Sequence, residues 1–415
     1  MFTSQLMYLI VFILAITHTL LAQYLLLLEK YFPRSKKLLH AITEIEIIFP
    51  VWAALLCLLI LLKEGSESLV NYVQSLDFSE SIFVIAIMTV AGTKPILVFI
   101  ENTIIFMVKQ LPFKPAISIY CLALTLLPLL GSLITEPAAM TLAAILLKQT
   151  IFPVIRSEKL KYGILAVLLI NISIGGALTP FAAPPILMVA KTWNWDLYFM
   201  LSHFGLNILI IVLMNTLLGL SLFYKDFQAI QYHLSLSTKP VNLKIVLSHL
   251  IFLLLMMYFS HSLLMFVGIL VIFIVFTRLF SVHQDPLLIK EATLVGLFLM
   301  SLIVVGSKQS WWLTTLFSSI NDWQVYLGTT LLTAVADNAA LTYLGSLLPH
   351  PSESFKLALV KGAIAGGGLT LIANAPNPIA SNLLKTFFNQ KAILAKPLIH
   401  YAILPTLLTL IGLLL

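Results

Sequence analysis

The feature that most constrains this chain is a succession of apolar runs, each about long enough to cross a bilayer, with no hydrophilic stretch between them large enough for a separate soluble domain. A hydrocarbon core about 30 Å thick takes roughly 20 apolar residues in a helix. The first run is Phe2 to Leu28. Others follow at about 45–62, 81–108, 116–147, 160–190 and 197–224. After a polar break at 226–242 they resume at 243–259, 261–280, 289–306, 324–348, 357–384 and 397–415. The first run has no basic leader and no small-residue cleavage site, so it is expected to stay as a helix rather than be removed as a signal peptide. Only 10% of residues are charged, against about 25% in soluble proteins, too few to cover a water-facing surface. The expected class is therefore an all-α polytopic membrane protein. Cys57 and Cys121 lie in apolar surroundings and form neither a disulfide framework nor a CxxC motif.

Two runs do not read as plain spans. The run 116–147 carries Pro128, Gly131, Glu136 and Pro137 near its middle, and 324–348 carries Asp337 and Asn338. A charge in hydrocarbon is costly and a mid-helix proline removes a backbone bond, so both are expected to be re-entrant hairpins or pairs of tightly packed short spans. With both crossing an even number of times, eighteen of the 24 Lys and Arg residues fall on one side, among them Lys30, Arg34, Lys36, Lys37 and Lys239, and five fall on the other. The positive-inside rule then makes the richer side cytoplasmic and puts both termini outside. The net charge of +7 is thus mostly a topology signal, and no nucleic-acid partner is expected.

The chain also repeats itself. Val90-Ala-Gly-Thr-Lys94 recurs as Val304-Val-Gly-Ser-Lys308, and Ile134-Thr-Glu-Pro-Ala-Ala-Met-Thr141 as Val335-Ala-Asp-Asn-Ala-Ala-Leu-Thr342. Gly175-Gly-Ala-Leu-Thr179 recurs as Gly366-Gly-Gly-Leu-Thr370, and His203-Phe204 as His400-Tyr401, all in order. Two units are expected, 1–225 and 243–415, joined by a cytoplasmic linker at 226–242. Each holds five spans and one hairpin (about 116–147 and 324–348). Five is odd, so the second unit is inverted relative to the first, an arrangement used by secondary transporters that bind cargo near the midplane.

The glycines and prolines of 160–190 and 357–384 are read as helices broken in mid-membrane, whose freed carbonyls and half-helix ends suit ion coordination. Glu136 and Asp337 are read as equivalent positions, one per repeat. Intramembrane carboxylates are candidates for cation ligands or proton carriers, because a carboxyl group in a dry cavity can trade a proton for a cation. Lys94 and Lys308 are also related by the repeat, so each either pairs with such a carboxylate or snorkels to an interface. Glu101 is a further acidic candidate. Thr141, Thr179, Asn338, Thr342, Thr370, Asn374 and Asn377 are neutral oxygens of the kind hard cations prefer, or else hydrogen bonds between helices. His203 and His400 titrate near neutral pH and could sense it but read first as satisfied core histidines, and Trp193, Trp195, Trp311 and Trp312 read as an interfacial belt. No GK dipeptide offers an ATP-binding loop, and neither an HExxH motif nor a Cys/His cluster offers a zinc site. No resident metal or cofactor is expected.

A hairpin bearing an acidic residue, followed by a GG-x-LT broken helix, twice in one chain, resembles the ion transporter superfamily of NhaD-type Na+/H+ antiporters, ArsB-type arsenite permeases and divalent anion/Na+ symporters. Within it the chain resembles the putative Na+/H+ antiporter family over nearly its whole length. The resemblance is carried most specifically by Ala336-Asp337-Asn338 and Gly366-Gly-Gly-Leu-Thr370. It implies that Asp337 and Asn338 sit at the second hairpin tip, facing Thr370, Asn374 and Asn377. Thr179 and Glu136 would be first-half counterparts. It also implies a homodimer in a bacterial cytoplasmic (inner) membrane, with a mobile transport domain sliding on a scaffold. The chain departs from the pattern at Glu136-Pro137, where Asp-Asn is typical, and at Ala183 in the place of Asn374, which makes the second half the better cation site. The function expected is Na+/H+ or other monovalent cation/proton antiport. The alternatives are an arsenite or other anion carrier using Lys94 and Lys308, and, more remotely, an intramembrane enzyme using Glu136 and Asp337 as acid and base.

Overall fold

In a computed structural model describing residues 2–26, 44–232, 240, 242–317 and 319–415, the chain is helical and the described residues contain no strand. The basic residues Lys30, Arg34, Lys36, Lys37 and Lys239, which carry part of the charge bias, lie outside the described residues. In the first half the helices are α1 (Phe2–Leu26), α2 (Ile45–Gln74), α3 (Ser79–Ala91), α4 (Lys94–Gln110), α5 (Pro115–Leu124), α6 (Leu126–Ile134), α7 (Glu136–Gln149), α8 (Glu158–Gly175), α9 (Pro184–Trp193), α10 (Leu206–Leu222) and α11 (Tyr224–Ala229). The second half holds α12 (Leu243–Tyr258), α13 (Leu263–Leu279), α14 (Ile289–Gly306), α15 (Ser310–Phe317), α16 (Asp322–Thr333), α17 (Asn338–Ser346), α18 (Glu353–Gly366), α19 (Asn377–Leu384) and α20 (Ala395–Leu414).

Among the described residues seven segments are long and apolar enough to cross a membrane, as a multi-pass membrane protein requires. α3 and α4 make an eighth if taken together. α12 and α13 are apolar but have only 16 and 17 residues, about 24–26 Å at 1.5 Å per residue. The run read as one span over 81–108 is in fact bent by 60° between α3 and α4. Gly92 and Thr93 break it, Pro95 starts the new helix, and the bend leaves Lys94 exposed.

The helices sort into two packed sets. α1, α2, α3, α12, α13 and α14 pack chiefly on one another, while α5 to α10 pack with α16 to α20. The first hairpin is present as a folded turn with packed arms, whereas at the second, α16 and α17 meet chiefly at the turn itself. In the first, α6 and α7 run antiparallel about Thr135: Gly131 lies against Ala139, where a Cβ on the glycine would come within 3.3 Å. Pro137 in the first turn of α7 fixes where the return begins. In the second, Asp337 caps α17 by accepting from the amides of Ala339 (2.8 Å) and Ala340 (3.4 Å).

The helix after each hairpin lies parallel to the hairpin's first arm, as it must if the hairpin returns to the side it came from. Asn171 donates to the Leu124 carbonyl (2.7 Å), and one turn on Gly175 sits on Pro128, where a Cβ would be 2.5 Å from the carbonyl oxygen. Gly362 sits on Tyr326 and Gly366 on Thr330 in the same way, at 2.4 and 2.5 Å. Small residues four apart let the two backbones touch, a common means of helix packing in lipid. The far halves of the broken helices then cross over: α9 packs on α17 of the second hairpin, and α19 packs on α7 of the first.

The tryptophans divide. Trp311 is exposed, but Trp193 and Trp195 are buried in a second apolar cluster with Phe204, Ile208 and Val360, so those two are core residues and not part of a belt.

Candidate functional site

The site grows out of the two breaks. α8 runs through a 3-10 turn at Gly176–Leu178 and gives way to irregular backbone until Pro184 opens α9. α18 ends at Gly366, and helix resumes only at Asn377. Each irregular stretch is tied to the opposing hairpin tip through its backbone. The Glu136 amide donates to the Ala182 carbonyl (3.4 Å), and the Asn338 amide to the Ala373 carbonyl (3.1 Å).

These contacts revise the alignment of the two halves. Glu136 and Asn338 are each the first residue of the return helix, and each faces the second glycine of a GG pair. A Cβ on Gly176 would lie 2.5 Å from Glu136 Cγ, and one on Gly367 would lie 3.0 Å from Asn338 Nδ2. Together with the Leu124/Tyr326 and Pro128/Thr330 contacts, they place Glu136 opposite Asn338 and Thr135 opposite Asp337. Glu136 and Asp337 are therefore not equivalent positions. The match of Glu-Pro-Ala-Ala to Asp-Asn-Ala-Ala was one residue out of register.

Thr135 itself has φ +79°, an uncommon conformation for a β-branched residue, at a cost of about 1–3 kcal/mol. Such strain persists where the surroundings enforce it, here the tight return between α6 and α7.

Glu136 is fully buried and Asp337 is 2% exposed. The two are close enough to feel each other's charge. Each stands at the N-terminal end of a helix, where the backbone dipole favours negative charge. Asn374, from the second broken helix, donates through Nδ2 to Glu136 Oε2 at 2.8 Å, so the two halves meet at this carboxylate. Asn377 spends both amide hydrogens on the carbonyls of Gly367 and Thr370 (2.8 Å each) and holds the unwound stretch in shape. Left without a hydrogen-bond partner are Glu136 Oε1, Asp337 Oδ2, the side-chain oxygens of Asn338, Asn374 and Asn377, the Thr135 hydroxyl, and also the Asn338 Nδ2 donor. All are buried. The oxygens are a set of hard atoms with two carboxylates among them, the donor type that suits a small hard cation.

Other candidates fall elsewhere. Thr370 donates to the Ala334 carbonyl (2.8 Å), and Thr179 to the Ser132 carbonyl (2.7 Å), so both clamp a break to its hairpin arm. Thr141 and Thr342 bond back to their own helices. Lys94 pairs with Asp285 at 2.8 Å, and Lys308 lies over the Tyr72 ring at 5.8 Å. Among the described residues no basic side chain forms an ion pair with Glu136 or Asp337. Neither lysine is therefore the charge partner that the repeat suggested. Glu101 lines a different cavity, of 390 Å³, with Lys94 and Asp285.

Sequence reading passed over several contributors. Ser132 donates to the Gly175 carbonyl and accepts from the Leu178 amide, bracing the first break. Ser173 donates to the Ile364 carbonyl (2.8 Å), joining the broken helices where they cross. Asn171 bonds Leu124, Val212, Thr216 and Asn215, and Asn215 reaches Thr409, fastening α8 to α10 and α20. The available signal was the presence of polar residues one helical turn from the glycines and carboxylates already singled out.

A family model described as putative Na+/H+ antiporter matches residues 3–415. No curated protein matches the chain.

Proposed function

The chain belongs to the putative Na+/H+ antiporter family, and from that membership we propose that it exchanges a small monovalent cation, Na+ in the first instance, for protons by alternating access. The observation that carries this reading is the group of buried oxygens without partners around Glu136 and Asp337. A buried polar atom left unsatisfied costs about 1–3 kcal/mol, and a site that repeats that cost over several atoms is built to satisfy them with cargo. Asp337 binds cation and proton by turns. Its Oδ1 is committed to two backbone amides, which leaves Oδ2 for the exchange. Glu136, steadied by Asn374, supplies the second negative charge, and the broken helices supply carbonyl and amide oxygens.

The parallel packing of each post-hairpin helix on its hairpin, and the exchange of α9 and α19 between hairpins, support an inverted repeat of two five-span units. The two packed sets of helices support a transport body moving against a scaffold, and the charge bias supports termini on the outside of a bacterial inner membrane. We infer a homodimer from the resemblance. The arsenite or anion alternative needed lysines facing the carboxylates, and both lysines are engaged elsewhere.

The test is reconstitution into proteoliposomes with an acidic interior and an entrapped pH dye. Added Na+ should collapse the gradient, Asp337→Asn should abolish the response, and Glu136→Gln should weaken it. Wild-type activity in Asp337→Asn would remove Asp337 from the mechanism, and no response to any monovalent cation would end the antiport reading.

A further inference from the structure

One small space beside Asp337 is lined by no residue of the broken helices. Ile16 and Thr19 of α1, Phe49 of α2, and Val335, Ala336, Asp337 and Ala340 of the second hairpin enclose a cavity of about 10 Å³, room for a single water-sized occupant. Asp337 is 2% exposed; the Ala339 and Ala340 amides hold its Oδ1, the Ala375 amide approaches the same carboxyl, and Oδ2 has no hydrogen bond of ordinary geometry, which leaves it able to serve this space. Thr19 is 5% exposed and donates its hydroxyl hydrogen to the Ala15 carbonyl (3.0 Å), which leaves its oxygen lone pairs available. The remaining lining is apolar, so any occupant must draw its coordination from these two oxygens and nearby backbone.

One turn from Phe49 on α2 stands Glu46, close enough to Asp337 for their charges to interact. Glu46 in turn feels Glu44 and Glu291, both exposed, with Lys290 as a cationic neighbour. Carboxylates within electrostatic reach of one another therefore flank the Asp337 side of the cavity, and low-dielectric walls lined by one sign of charge concentrate counter-ions.

We propose that this cavity is a seat for one dehydrated monovalent cation, ligated by Asp337 Oδ2 and Thr19 Oγ1 and supplied past Glu46. The inference rests on the antiport reading for its cargo and goes further by placing a ligand on α1, in the other packed set of helices. A cation held there bridges the two sets, so it must leave before they can move past one another.

The experiment is equilibrium binding of ²²Na+ to the purified full-length protein in detergent, alongside the proteoliposome assay. Thr19→Val should weaken binding about tenfold, the scale of losing one good polar contact, and Thr19→Ser should bind as wild type. Glu46→Gln should weaken binding, with a deficit that shrinks but does not vanish in high choline chloride, because a half-buried charge is only partly screened. If Thr19→Val and Glu46→Gln bind as wild type while Asp337→Asn loses binding, this seat is wrong and the antiport reading stands. If the wild type binds no monovalent cation, both fall. If Thr19→Val does not fold, Glu46→Gln decides: a deficit unaffected by salt, or none, overturns the proposal.

Discussion

The bond from Asn374 to Glu136 spans 238 residues of sequence and joins the two halves at the centre of the molecule, so it offers the most direct test of the site as built. Asn374→Leu keeps nearly the same volume but cannot donate. Asn374 is 1% exposed and Glu136 0%, and among the described residues no other side chain donates to this carboxylate. The loss should therefore sit in the range for hydrogen bonds to charged groups, about 1.5–3 kcal/mol. A central value of about 2 kcal/mol corresponds to roughly thirtyfold in an equilibrium constant, and to about 4 °C in the apparent melting midpoint, followed by tryptophan fluorescence in detergent. The change also leaves the Glu136 oxygens without a positioning donor, so Na+-driven proton flux should fall. A double-mutant cycle isolates the pair. In a Glu136→Met background, Asn374→Leu should cost little, giving a coupling of about 2 kcal/mol. If the two single effects add to within about 0.5 kcal/mol, the bond contributes nothing and the two halves do not communicate through it.

Gly176→Ala puts a methyl 2.5 Å from Glu136 Cγ and 2.6 Å from its Oε1; cation-driven flux should fall at least about tenfold while the protein still folds and purifies, since the side chain can swing aside at a cost of about 1–3 kcal/mol. Gly362→Val drives a branched side chain into the Tyr326 carbonyl, 2.4 Å from even a Cβ, and should be lost at the level of folded yield. Thr135→Gly relieves the positive φ and should melt at or above the wild-type midpoint. At the exposed end of α9, Lys191 pairs with Asp77 at 2.6 Å. Partial burial alone would raise the Asp77 carboxyl, but hydrogen bonds from Lys191 and Ser79 outweigh it and hold it down to about 2. A depressed carboxyl stabilises the fold above its unfolded value near 4 and loses that effect as pH falls towards 2. Asp77→Asn should therefore melt slightly below wild type at pH 5 and level with it near pH 2, by less than about 1 kcal/mol because the pair is solvated.

The elements legible in the sequence were those that break a strong pattern. Glu136 and Asp337 stood out because a charge inside an apolar run needs a reason, and the GG-x-LT segments because glycines and prolines cannot sustain one helix. What escaped was geometry that composition does not encode. The apolar run over 81–108 looked continuous because hydropathy is blind to direction, although Gly92, Thr93 and Pro95 marked the 60° bend that exposes Lys94. The one-residue slip between Glu136 and Asp337 arose because matching acids is a stronger textual signal than matching helix starts. The backbone bonds to Ala182 and Ala373 set the register, and carbonyls carry no sequence signature. Thr19 and Glu46 were passed over because each lies in a separate run far from either repeat motif.

The exchange of half-helices has a consequence for synthesis. Helix α7 completes its packing against α19, and α9 against α17 and α18. Some 240 residues separate Glu136 from Asn377, which at about 5–20 residues per second is roughly 12–50 s of translation. During that interval the first hairpin sits in the bilayer with its buried carboxylate unmatched by Asn374. Insertion can proceed span by span, but assembly cannot. The first half must wait in a state that membrane proteases and chaperones can recognise, and a chain truncated before residue 377 should be degraded rather than accumulate as a stable half.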